Sequence, residues 1–312
     1  MKYVFGVDVG GTFIKMGFFD SEGTLIDKWE IPSDKNLSGA QFLSRIAEDV
    51  KSRLARENAA LSDCMGVGLA VPGPVLPDGS MPRLTNLDWG SLNVREVLSE
   101  SLPGLRVEAA NDANAAALGE LWKGAGQGRQ SLVMVTLGTG VGGGVVLDGK
   151  ILTGVTGAGG EIGHIIVNEA ETDSCGCGLK GCIEQYAAAP GLIRVTKQRL
   201  AESTAPSVLR GRADFSAKDV MDAVKDGDVV ADEAFQIMCR MLGKALAGVA
   251  VTVNPDLFVI GGGLSKAGSI ITDTVSRYYA NFAFYAVRET PIVLATLGND
   301  GGICGAARLV CA

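Results

Sequence analysis

Histidine is nearly absent: His164 is the only one among 312 residues. Imidazole acid–base chemistry therefore has one candidate, and a metal site richer in histidine is excluded. Basic clusters are missing too. Lys and Arg number 28 against 35 Asp and Glu, a formal net charge of −7, and no cationic run offers the counterion-releasing surface that nucleic acid needs. No nucleic-acid partner is expected. No apolar run reaches the roughly 20 residues that span a bilayer, and the stretch 245–253 is short and interrupted. No membrane partner is expected. Met1-Lys2-Tyr3 leads directly into a strand pattern without a leader-like segment. The seven cysteines, an odd number in a long chain, do not suggest the paired framework of a small secreted domain. A cytoplasmic, unexported protein is expected.

Glycine, by contrast, is abundant: 43 residues, about twice the usual share. It is clustered rather than periodic, which excludes collagen and low-complexity chains. The length sets a prior of about two domains. Short β-branched runs that end at glycine recur at Tyr3–Val9, 65–71, Leu132–Leu137 and 257–260, the pattern of strands buried on both faces. Segments of helical period lie between them: 38–60, opened by Ser38 and Gln41 as a capping box, then 217–224, 228–253 stopped by Asn254-Pro255, and 265–285. Alternating strands and helices predict an α/β architecture with mixed sheets.

A faint repeat runs through the chain. Phe5-Gly6-Val7-Asp8-Val9-Gly10-Gly11-Thr12 leads into the strand-like 13–19, and Met134–Gly143, with Gly138-Thr139-Gly140, leads into 144–147. Phe5 and Met134 stand 129 positions apart, a domain-sized interval that suggests two similar lobes around one ligand. The second loop satisfies G-x-G-x-x-G, with Glu161 some twenty residues on. A strand and turn, Val145 to Lys150, follow it where a dinucleotide fold needs a helix. No Walker A sequence occurs. Each loop alone is compatible with a tight hairpin without a ligand. Together they suit phosphate, because backbone without Cβ approaches closely and successive N–H groups form an anion nest. In the first loop Thr12 adds a hydroxyl, Asp8 a hard oxygen ligand suited to orienting hydrated Mg²⁺, and Lys15 follows.

Cys175-Gly176-Cys177-Gly178-Leu179-Lys180-Gly181-Cys182 comes eleven residues after His164. Three soft thiolates and an imidazole suit a closed tetrahedral Zn²⁺ site, but the spacing is not the common C-x₂-C, and free buried thiols are the alternative. Cys64, Cys239, Cys304 and Cys311 read as small packed hydrophobes. Asn111-Asp112 follows the strand-like 105–109 and opens the helical run 113–122, where Asp112 reads first as an N-cap.

These motifs carry a family resemblance over essentially the whole chain. Asp8 to Lys15, Gly138 to Gly144 and Ile260-Gly261-Gly262-Gly263 resemble the phosphate-1, phosphate-2 and adenosine motifs of the sugar kinase, Hsp70 and actin superfamily. Within it the chain resembles the ROK family and, through Asn86-Leu87-Asp88-Trp89 and Trp122 to Gly126, its bacterial glucokinase branch. The resemblance implies a two-lobed actin-like ATPase fold, a ribonuclease-H-like duplication with a central cleft. Residues 1–113 plus 299–312 would form a smaller N-terminal lobe, and 114–298 a larger C-terminal lobe with the zinc site. ATP is expected at Asp8, Gly10, Gly11, Thr12, Lys15, Gly138, Thr139, Gly140, Gly262 and Gly263, with Mg²⁺. His164, Cys175, Cys177 and Cys182 match the family's structural zinc signature, with His164 also touching sugar.

The resemblance further implies phosphorylation of the 6-hydroxyl of glucose or a related hexose, with Asp112 as the general base. Asn86, Asn111, Asp112, Glu161, His164 and Glu184 would bind the sugar, with the Pro72-Gly73-Pro74-Val75 turn nearby. Water is a competing acceptor that lobe closure would suppress. Ala187-Ala188-Ala189 departs from the family, which commonly has Ser a few residues after the zinc-site Glu. Alternatives are a kinase for N-acetylmannosamine, N-acetylglucosamine, allose or fructose, and a non-catalytic sugar sensor or actin-like ATPase. A repressor of this family would carry a helix-turn-helix before the first strand, for which two residues leave no room. The family implies homo-oligomers, dimers or tetramers.

Overall fold

The structure, a computed structural model, describes residues 2–34, 36–82 and 89–311. The buried apolar runs become strands: β1 (Tyr3–Val9), β2 (Phe13–Asp20), β3 (Leu25–Pro32), β4 (Cys64–Val71), the short pair β5 (Ser80–Met81) and β6 (Leu92–Asn93), and β7 (Arg106–Asn111). A second set follows: β8 (Leu132–Leu137), β9 (Val141–Leu147), β10 (Lys150–Ile151), β11 (Leu257–Gly261) and β12 (Ile292–Leu294). The helices are α1 (Gly39–Arg56), α2 (Val94–Ser101), α3 (Asp112–Lys123), α4 (Glu184–Ala187), α5 (Ala189–Glu202), α6 (Ala217–Lys225), α7 (Val229–Val253), α8 (Ser269–Phe282) and α9 (Gly301–Cys311).

The repeat is real at the level of topology. One five-stranded sheet runs β3-β2-β1-β4-β7, and the other runs β10-β9-β8-β11-β12, the same order in the same sequence sense. β1, β4 and β7 pair in parallel, as do β8, β11 and β12, while β2 with β1 and β10 with β9 pair antiparallel. β1 and β8 begin at Tyr3 and Leu132, again 129 positions apart. The central strands are buried on both faces, as their unbroken apolar character requires.

The chain divides into two compact units, Met1–Gln130 with Gly144–Gly160 and Leu297–Ala312, and Ser131–Gly143 with Glu161–Thr296. α3 packs along α9, which groups 114–130 with the first unit. The packing is unusually close. A Cβ on Gly305 would overlap the carbonyl of Ala115, and one on Gly68 that of Ala306, so these glycines serve helix and sheet contact rather than turns. Gly305→Ala is expected to cost about 1–3 kcal/mol through overpacking, measured as a fall in the urea midpoint at unchanged slope.

Ser38 and Gln41 form the expected capping box, but α1 stops at Arg56, before the left-handed Asn58 (φ 52°). The segment 265–285 is broken: Gly268, at φ 92°, separates a 3₁₀ turn (Leu264–Ala267) from α8. Among the described residues α7 is long and apolar enough to cross a membrane, and 56% of that window is buried inside the protein. α7 packs on α8 and α5, the environment of a core helix.

Candidate active site

In the first unit the β1–β2 hairpin carries Asp8, Gly10, Gly11, Thr12 and Lys15. Gly10 N–H is spent on Phe13 O (3.1 Å), and Ser33 Oγ donates to Gly10 O (2.6 Å), whereas Gly11 and Thr12 are exposed. Lys15 Nζ lies 3.6 Å from Asp8 Oδ2 and donates to Asn299 O at 3.4 Å. Burial pushes the Asp8 carboxyl above its ordinary value, the Lys15 charge draws it partly back, and the charge of Asp112 raises it further. Asp8 also stands at the start of α9, where a Cβ on Gly302 would come within 2.7 Å of Asp8 Oδ2. Sequence reading missed Gly302 and Asn299 because both arrive from the far end of the chain.

At the start of α3 the capping role falls to Asn111 and not to Asp112. Asn111 Oδ1 accepts from the N–H groups of Ala113 (2.9 Å) and Asn114 (3.2 Å), and its Nδ2 donates to Gly73 O (3.3 Å). Asp112 is thus the first helical residue, its Oδ1 2.8 Å from Ala113 N–H. It is solvent-accessible, yet burial by the surrounding protein pushes its carboxyl up, against the pull of the Ala113 N–H and the Asn111 side chain. Asn111→Ala is expected to lose about 1 kcal/mol of stability as a lost cap, read from the urea midpoint.

In the second unit Gly138 N–H closes on Gly140 O (2.9 Å), leaving Thr139 exposed at the tip between β8 and β9. Glu184, the first residue of α4, accepts from Val141 N–H at 3.0 Å through Oε2, while Cys175 Sγ lies 3.6 Å from its Oε1. His164 Nδ1 is 3.9 Å from the same sulfur, and Cys177 and Cys182 Sγ are 3.7 Å apart. All four donor atoms lie within 4.8 Å of one another. Ligands about 2.3 Å from a tetrahedral ion are about 3.8 Å apart, so the set fits a metal. Burial pushes the Cys182 thiol up to about 12 and Cys175 upward, a cost that a dication would offset, whereas the Leu179 N–H draws the exposed Cys177 thiol down. Glu161 is exposed and precedes the 3₁₀ turn Ile162–His164, its carbonyl accepting from His164 N–H (3.2 Å).

A polar brace supports the cysteine loop. Gln185 Oε1 accepts from Gly181 (2.7 Å) and Cys182 (3.1 Å) N–H, and its Nε2 donates to Asp173 O (2.9 Å). Glu171 Oε2 accepts from Tyr186 Oη (2.7 Å) and Arg194 Nη2 (2.8 Å). Burial alone would raise the Glu171 carboxyl, but these donors and Asp173 N–H hold it at about 2, against an ordinary 4.5. The stabilisation is complete above pH 4.5 and is lost as pH falls toward 2. Urea midpoints followed across that window should drop in the native protein and drop less in Glu171→Gln.

Gly262 has φ 85°, and a Cβ there would come within 2.5 Å of Leu137 O, so close approach to β8 already demands glycine; Gly263 is open. Asn86 lies outside the described residues. The structure therefore joins Asp8 with Lys15 and Asp112 in one unit, and His164 with the three cysteines and Glu184 in the other.

Residues 4–312 match the ROK family. The chain belongs to the ROK family. A glucokinase from Halalkalibacterium halodurans is 40% identical over 314 residues, spanning 99% of this chain and 95% of its own. The crystal structure of a ROK hexokinase from Thermus thermophilus is 31% identical with a TM-score of 0.82, over 99% of this chain and 97% of that one. A ROK family glucokinase from Streptomyces griseus, in complex with glucose and AMPPNP, is 32% identical with a TM-score of 0.73 over 98% of each chain. The fold is the actin-like ATPase fold of ROK sugar kinases, in keeping with the duplicated sheet order.

Proposed function

We propose that this chain is an ATP-dependent hexokinase of glucokinase type that phosphorylates the 6-hydroxyl of glucose. The observation that carries the reading is Asp112: Asn111 takes over the cap, so the next carboxylate is left for chemistry, within reach of the Asp8 charge in a ROK family chain. A carboxyl pushed upward is a better proton acceptor than an ordinary aspartate.

In the reaction the sugar 6-oxygen forms a bond to the γ-phosphorus as the bond from that phosphorus to the β,γ-bridging oxygen breaks. ADP leaves, and the hydroxyl proton passes to Asp112. Positioning and charge neutralisation supply most of the rate. The Thr12 hydroxyl and the Lys15 ammonium of the first unit and the glycine hairpin of the second would each serve that task, and Gly262 and Gly263 would bind the adenosine. Asp8, an oxygen donor paired with one cation, fits a hydrated Mg²⁺, which when bound with ATP would offset charge on the transferring phosphoryl group. Sugar hydroxyls would bind Asn86, Asn111, Asp112, Glu161, His164 and Glu184. His164, Cys175, Cys177 and Cys182 would hold Zn²⁺, which would fix the imidazole so that Nε2 meets the sugar. A cytoplasmic homodimer or tetramer belongs to the same reading.

The test is a panel of hexoses with ATP, following ADP release. Fast turnover of glucose supports the reading. Weak turnover of glucose beside fast turnover of N-acetylmannosamine, N-acetylglucosamine, allose or fructose would replace the substrate.

A further inference from the structure

The phosphate hairpin and the cysteine cluster of the second unit share one support. Glu184 Oε2 accepts from Val141 N–H, directly after the hairpin, at 3.0 Å, while Oε1 faces Cys175 Sγ at 3.6 Å. Five residues on, Ala189 N–H donates to Gly138 O at 2.8 Å, so 184–189 grips both flanks of Gly138-Thr139-Gly140. Gly140 does not have a left-handed backbone. It is glycine for another reason: a Cβ there would stand 2.5 Å from Glu184 Oε2. The absent side chain is what lets the carboxylate reach Val141.

We propose that Glu184 is a positioning residue that couples the two substrates, holding the hexose on Oε1 and the phosphate hairpin through Oε2, so that each ligand tightens the binding of the other. The inference rests on the hexokinase reading. A glutamate on the surface rotates freely, and a sugar hydroxyl must then fix it at an entropic cost. Here the Val141 N–H sets the carboxylate plane beforehand. Conversely, a hydroxyl donating to Oε1 holds the carboxylate, and with it the Val141 amide and the hairpin backbone on which phosphate would sit. Cys175 serving as a thiolate ligand no longer donates, which leaves Oε1 to the sugar. Linkage makes the effect reciprocal: the factor by which glucose tightens nucleotide must equal the factor by which nucleotide tightens glucose.

The experiment is titration calorimetry on the full chain with AMPPNP, in the presence and absence of saturating glucose, and with glucose in the presence and absence of saturating AMPPNP. Both directions should show the same tightening, about fivefold or more. Gly140→Ala keeps every donor and acceptor but displaces Oε2 from Val141, and its coupling should fall to within about twofold of none. Independently of any variant, glucose alone should slow amide exchange of Val141 in the native protein. Glucose turnover with equal AMPPNP affinity in both states, full coupling in Gly140→Ala, or an unchanged Val141 amide overturns the coupling and leaves the hexokinase reading standing. Absence of both glucose binding and turnover overturns the two together.

Discussion

Asp112→Asn is expected to lower kcat for glucose phosphorylation by about 10²–10⁴-fold, with glucose and AMPPNP still bound within a few fold of the native affinity. The substitution is nearly isosteric, and it leaves the helix cap in place because Asn111, not Asp112, holds the Ala113 and Asn114 N–H groups. Stability should therefore be unchanged, which separates loss of the base from loss of the fold. Burial and charge at Asp112 each have a pH consequence. In the native protein kcat/KM should rise with pH through an apparent pKa above the ordinary 3.8, as the Asp112 carboxyl loses its proton. Removing the Asp112 charge should also lower the Asp8 pKa, since Asp112 is one cause of its rise. Turnover by Asp112→Asn within a few fold of native would show that the proton goes elsewhere.

Loss of the metal cluster has the second large effect. Purified protein should carry about one zinc per chain by elemental analysis, and Cys182→Ala should bind it more than about 100-fold more weakly, since even supporting groups around a metal contribute 10–100-fold. The sulfur of Cys182 is 3.7 Å from that of Cys177, and Cys175 lies between His164 Nδ1 and Glu184 Oε1. The loop's collapse should therefore reach the sugar contacts before the nucleotide contacts. Glucose KM should rise by about tenfold or more, while AMPPNP binding without sugar stays near native. His164→Ala should damage zinc and glucose binding together. Less than a tenth of one zinc per chain with full activity would refute the structural role.

Much of this was legible in the residues. β1 and β8 were readable because strands buried on both faces carry unbroken apolar runs, and glycine turns marked their ends. The 129-residue offset between them anticipated two sheets of the same order. The cysteine cluster was legible as chemistry, since soft ligands concentrate locally in the chain. What pattern reading missed depends on contacts through space. Helical period ran across Gly268 because periodicity does not register a left-handed φ. Glycine enrichment pointed to turns, yet Gly68 and Gly305 serve close packing against α9 and α3, and Gly140 makes room for a carboxylate 44 positions away in the chain. Asn111 displaced Asp112 from the cap because either residue type can cap, and the choice turned on where β7 hands over to α3.

In the proposed reaction a hexose, not water, takes the phosphoryl group and Asp112 takes its proton. The most direct measurement incubates the purified chain with ATP, Mg²⁺ and glucose and identifies the product by phosphorus NMR, beside Asp112→Asn. Glucose 6-phosphate and ADP are expected in equal amounts, with negligible ADP without sugar and at least about 100-fold slower formation of both by the variant. ADP release indifferent to sugar, or no phosphorylated hexose from the native chain, would contradict it.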